Sequence, residues 1–217
     1  MAQQVVAVAS ANAASSSSPR DSMATSQHLS RLALEAEDVA SALRTLRDQH
    51  EGTASITFIT EAVSRLFGLS TTLQRLAQAH DEPRYRNSLY RIKEDVQLVY
   101  CSACYTLEVA LHMGRRPVGA QWMVWGDMDH RMREMEGVGL LERLNWYRFF
   151  AEDLLDHLDG RTSDGLLRSR NRVQNLLRLQ DNARLLGLTY RSIESGKNEN
   201  HLAVFSVRSD VYVLTEL

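Results

Sequence analysis

The sequence predicts a mainly α-helical protein: a multi-helix bundle around a long central helix, with a small β-prone C-terminal tail. Apolar residues recur at alternating spacings of three and four through most of the chain, the period of one helix face. The breaks between these runs are short and of the helix-stopping kind: Glu51-Gly52-Thr53, His80-Asp81-Glu82-Pro83, Gly137-Val138-Gly139 and Asp159-Gly160. A chain of 217 residues, 44% hydrophobic and 24% charged, has enough apolar side chain to bury a core without disulfide or metal staples.

Residues 1–25 are Ala/Ser-rich and show no periodicity, which predicts a disordered arm. Residues 26–190 hold the helical bundle domain. The first helix spans about Ser26 to Gln49, where Leu29, Leu32, Ala36, Val39, Leu43 and Leu46 make one narrow stripe on an otherwise charged cylinder. This pattern suits a peripheral helix. The second spans Ser55 to Ala79, with Ile59, Ala62, Val63, Leu66, Leu73, Leu76 and Ala77 inward and a weak point expected at Gly68. Pro83 is placed to start the third, Arg84 to His112. There Tyr85, Leu89, Ile92, Val96, Val99, Ala103, Leu107 and Ala110 form one face, and a second apolar face fills in from Val96 onward. A helix apolar all round must be surrounded, so this is the central helix. Its apolar run is about 16 residues and includes Glu108, whereas a membrane span needs about 20 with almost no charge. No membrane span is therefore expected.

After Pro117 come Trp122, Trp125, Met128, Met132 and Met135, a tryptophan- and methionine-rich stretch. Such residues either plug an irregular core or form an adaptable contact surface. The next helix, Leu140 to Leu158, turns Leu140, Leu141, Leu144, Tyr147, Leu154, Leu155 and Leu158 inward, with Trp146, Phe149 and Phe150 widening the apolar face. The last helix, about Ser163 to Leu186, carries Arg168, Arg170, Arg172, Arg178 and Arg184, and the acidic Glu152, Asp153 and Asp156 are its expected partners. Residues 191–217 read as a polar loop followed by two short β-prone runs, Leu202 to Val207 and Val211 to Leu214, that could pair as a hairpin.

Net charge is −2, so neither nucleic acid nor an anionic membrane is an expected partner. Lys93 and Lys197 are the only lysines among 25 basic residues. Arginine favours bidentate carboxylate contacts and aromatic stacking, as at protein interfaces, and a GC-rich genome produces the same bias. Cys101 and Cys104, the only cysteines, have redox-motif spacing but sit mid-helix, away from the helix N-terminus that would activate a thiol. They point to a reducing compartment, cytoplasmic or nuclear. Histidines are dispersed, with no paired Glu-x-x-His, no phosphate loop, no nucleophile elbow and no His-Glu-x-x-His. The pattern predicts no enzyme and no cofactor or metal.

The stretch Glu134-Met-Glu-Gly-Val-Gly-Leu-Leu-Glu-Arg-Leu-Asn-Trp-Tyr-Arg-Phe-Phe150, ending at Leu158-Asp-Gly160, resembles helical regions of uncharacterised proteins of filamentous fungi. The resemblance covers about a quarter of the chain and brings no catalytic residues. It implies an interaction role. The expected function is therefore a protein-protein interaction or regulatory adaptor module acting on a protein partner or by self-association. Its candidate surface is Trp122, Trp125, Met128, Met132, Met135 and Tyr147, or else the first helix. The alternative is an apolar small molecule or lipid held between helices near the same residues.

Overall fold

In the computed structural model, residues 19–49, 55–86, 88–114, 129–130, 132–161 and 165–185 are described. Five long helices account for most of them: α1 (Pro19–Gln49), α2 (Ser55–Asp81), α3 (Leu89–Gly114), α4 (Leu140–Leu158) and α5 (Gly165–Leu185). A short helical segment, residues 129–130 and 132–136, precedes α4. The mainly α bundle is what the chain forms, and no strand occurs among the described residues. The expected C-terminal hairpin and most of the expected N-terminal arm lie outside the described residues. The first helix begins at Pro19 rather than Ser26, because residues 19–25 continue the same helix.

Two antiparallel helical hairpins lie side by side. In the first, Ser26 near the start of α1 donates to the Ala77 carbonyl near the end of α2 at 3.3 Å. Farther along, Glu37 accepts from Ser70 at 2.6 Å and from Gln74 at 2.9 Å. Along the inner face of α1, between and beyond these polar pins, Leu29, Leu32, Ala33, Ala36, Val39, Ala40, Leu43 and Leu46 are buried. Each fully buried leucine contributes about 1.5–3 kcal/mol. Alanines at 33, 36 and 40 are buried with them, and α1 packs on α2 and α3 while its outer face, with Arg31, Leu34, Asp38 and Arg44, stays exposed, as expected of a peripheral helix. Helix α2 continues unbroken through Gly68, where the side chain of Arg148 from α4 lies over the backbone.

The second hairpin is α3 with α4, pinned by Tyr85 to Asp159 at one end and by Ser102 and Thr106 to Tyr147 at the middle. Parallel contacts join the hairpins. His28 of α1 stacks on Tyr100 of α3 with centroids 4.9 Å apart, and Arg65 of α2 donates to the Leu141 carbonyl of α4 at 2.6 Å. Helix α5 lies over α3 and α4, so α3 packs against α1, α4 and α5.

The chain differs from the expected continuous helix before Leu89, with turns at Arg86 and Ser88. Pro83–Tyr85 is a single 3-10 turn, and the Tyr85 hydroxyl donates to Asp159 at the far end of α4. Beyond it the Ser88 amide donates to the Tyr85 carbonyl at 2.7 Å and the Arg91 amide to the Ser88 carbonyl at 3.0 Å, leading into α3 at Leu89. The second apolar face of α3 is also only half-covered: Leu98, Tyr100, Cys101, Cys104, Val109 and Leu111 are partly exposed. Among the described residues no helix is long and apolar enough to cross a membrane.

Candidate functional site

Beneath the α3–α4–α5 junction is a buried polar column. The Tyr147 hydroxyl lies 2.9 Å from Ser102 Oγ and 2.8 Å from Thr106 Oγ1. Ser102 donates to Gln180 Oε1 at 2.9 Å, and Gln180 Nε2 donates to Thr106 Oγ1 at 3.1 Å. All four residues are fully enclosed and partnered, which is how buried polar groups avoid a desolvation loss. Burial raises the Tyr147 phenol above its ordinary pKa, opposed by these hydrogen bonds. The hydroxyl stays protonated and acts as a structural pin.

One turn earlier on α4, Arg143 is completely buried. Its Nη1 lies 2.6 Å from Glu136 Oε2, Nε donates to the Val138 carbonyl at 2.8 Å, and Nη2 to the Met132 carbonyl at 3.3 Å. This one guanidinium fastens residues 132–138 to α4. From outside, Asp129 accepts the Leu140 amide at 2.8 Å, capping α4 from a distance, and pairs with Arg133 at 2.8 Å. The connection needs glycine twice. Gly137 has φ 71, and a Cβ on Gly139 would run into the Asp129 carboxylate and to 2.8 Å from Arg133 Nε.

These placements settle where part of the expected interaction surface lies. Met132 and Tyr147 are fully enclosed and Met135 is half-buried, whereas Trp122, Trp125 and Met128 fall outside the described residues. The space around Tyr147 is filled by Ser102, Thr106 and Gln180.

The outer face of α4 and α5 is different. Phe149, expected inward, is 45% exposed and has the Arg148 guanidinium over its ring at 4.9 Å. It lies at the edge of a cleft of about 310 Å³ lined by Glu152, Asp153 and Asp156 of α4 and by Arg168, Ser169 and Arg172 of α5. Among the described residues, the ion pairs of Glu152 and Asp156 stay within α4 and the turn after it rather than crossing to α5. Glu152 pairs within α4 with Arg148 at 3.5 Å, Asp156 with Arg161 at 3.1 Å, and Asp153 accepts from Ser169 at 2.6 Å. Arg172 stands over the half-buried Trp146 ring at 5.8 Å. Arg170 of α5 pairs with α3 instead, bidentate to the buried Asp95. That pair forms part of a second cleft of about 230 Å³ with Arg91, His157, Leu166 and Leu167.

The cysteines are free and half-buried in mid-α3. Burial, followed by the charge of Glu35, pushes the Cys104 thiol up to about 12. Among the described residues, no three histidine, cysteine or acidic side chains are grouped to hold a metal ion.

Polar residues in the helical stripes are what the sequence reading missed. Arg143 falls three after Leu140 and four before Tyr147, and Gln180 falls four after Leu176 and three before Ala183. Polar residues at those inward positions were the available signal for the column. Fold and site together define a helical bundle of two hairpins with a fifth helix laid over one of them, presenting an aromatic, charge-lined groove. Compared with known proteins, the chain matches no family model, no curated protein and no solved structure.

Proposed function

We propose that this chain is a protein-protein interaction module that uses the exposed α4–α5 face. The observation that carries the reading is Phe149: a large aromatic side chain, 45% exposed, beside a cleft with carboxylates on one wall and arginines on the other. Aromatic and arginine side chains are the usual anchors of protein interfaces, and mixed charges around them give orientation. An apolar ligand near Tyr147 would instead have to displace a satisfied polar network, which favours the surface reading over the interior one.

A photoreactive phenylalanine analogue tests the face directly when placed at position 149 and, as a control, at Leu34, an exposed apolar residue of α1. The expected result is a discrete protein adduct in cells from position 149 and none from position 34. Equal labelling from both positions, or none from 149, refutes the assignment.

A further inference from the structure

Resting on that reading of the α4–α5 face, we infer that its partner is a second copy of this chain, joined about a two-fold axis running along the groove between the two helices. Two-fold interfaces are self-complementary: a patch meets itself, so residue i of one copy meets residue j of the other and j meets i. A rotation about an axis parallel to the helices keeps every residue at its own height and lays α4 of one copy over α5 of its partner. The charges fit that operation. Glu152 and Asp156 lie on the outer side of α4, while Arg168 and Arg172 lie at the same end of α5, since the two helices are antiparallel there and Asp153 meets Ser169.

Within one copy these groups do not satisfy one another. Glu152 and Asp156 turn to Arg148 and Arg161, and neither Arg168 nor Arg172 makes an ion pair among the described residues. Across the axis, each acidic wall faces the partner's basic wall. The apolar groups fit as well. Arg168, Arg172, Asn175 and Leu179 follow one edge of α5 at spacings of four, three and four. Leu179 is 41% exposed on that edge, at the height of α4 where Phe149 and Trp146 lie. The rotation therefore encloses Phe149 and Leu179 of both copies at the centre and sets charge pairs toward one end. Nineteen residues of α4 at about 1.5 Å each, by two helices about 10 Å apart, give a footprint of about 28 by 20 Å. That is the scale of a small specific interface, suited to a dimer of micromolar strength.

Light scattering of the full chain over roughly 1–300 µM brackets that strength. Wild type is expected to pass from monomer to dimer, with weaker association as salt rises from about 50 to about 500 mM. The double reversals Arg168→Glu with Arg172→Glu, and Glu152→Arg with Asp156→Arg, are each expected to raise the dimer Kd by about tenfold or more. Mixed in equal amounts, they are expected to form a heterodimer that neither forms with itself, because only the mixture restores opposite charges. Circular dichroism checks that each variant is folded; if one is not, the wild-type concentration and salt series still decides. A strict monomer, a dimer indifferent to both reversals, or reversed variants that fail to associate on mixing overturns the inference. A position-149 adduct to a different protein, with wild type monomeric, would leave the interaction face standing and remove the second copy as its occupant.

Discussion

Replacing Arg143 by methionine tests whether the connection before α4 is held by one buried charge. The substitution keeps the length and apolar stem of the side chain while removing the guanidinium from Glu136, from the Val138 carbonyl and from the Met132 carbonyl. Both charged side chains have zero exposure, so no water replaces the lost partner. Breaking a buried pair from one side costs about 3–5 kcal/mol, because the remaining charge loses its opposite charge in a site closed to water. The two carbonyls add to this, since an unsatisfied buried acceptor costs about 1–3 kcal/mol, although the contributions are not additive. Against a typical total stability of about 5–15 kcal/mol, Arg143→Met should remove about a fifth or more. The double change Glu136→Leu with Arg143→Met removes both charges together, so it should cost about 1–3 kcal/mol, less than either change alone. Urea unfolding followed by far-ultraviolet circular dichroism reads all four proteins, with an unchanged denaturant slope confirming that the folded state is comparable. A loss below about 1 kcal/mol for Arg143→Met, or a double variant as unstable as the two singles summed, would refute the reasoning.

Gly139→Ala should lower stability by about 1–2 kcal/mol, because the new Cβ displaces the Asp129 carboxylate that caps the Leu140 amide; the thermal midpoint measures it, and an unchanged midpoint contradicts the capping role. Burial lowers the pKa of His80 below 6.5, opposed by its hydrogen bond to the Leu76 carbonyl and the charge of Asp81. The unfolded chain therefore binds the proton first: the His80 contribution is complete above pH 6.5 and declines as pH falls toward the lower folded value. Urea midpoints taken from pH 7.5 downward should fall, and His80→Gln should flatten that slope. With its thiol at about 12, Cys104 carries almost no thiolate at neutral pH, so a disulfide reagent should label it slowly in the native protein and rapidly after unfolding. Rapid native labelling at Cys104 contradicts its burial.

The inward stripes of α1 and α2 were legible residue by residue, because leucine, isoleucine, valine and alanine at helical spacing leave one face to bury. The span of α4 was legible too, since Gly139 and Asp159-Gly160 bound an unambiguous apolar run. The break before α3 was not. Beside it Tyr85 reaches Asp159, a contact between residues 74 apart that no local pattern announces. Phe149 was expected inward for a related reason. Trp146, Phe149 and Phe150 all look apolar in sequence, yet adjacent helical residues point about 100° apart, so Phe150 is enclosed while Phe149 emerges. Which side of an amphipathic helix a fifth helix covers is decided by tertiary packing; here Asp95 and Arg170 help set it.

The side-by-side placement of the two hairpins bears on the order in which the chain acquires structure. Helices α1 and α2 meet through contacts made wholly within the first 81 residues, across a connection of only a few residues. Loop closure of that kind is rapid, and an αα pair with a continuous apolar seam can collapse before distant segments arrive. By contrast, α3 and α4 are separated by residues 115–139, and α5 depends on both for every polar anchor it has among the described residues. Such a hierarchy gives the molecule an early-forming half and a late-forming half. During synthesis the α1–α2 pair offers α3 a finished surface to dock on, while the groove-bearing face of α4 and α5 is assembled last.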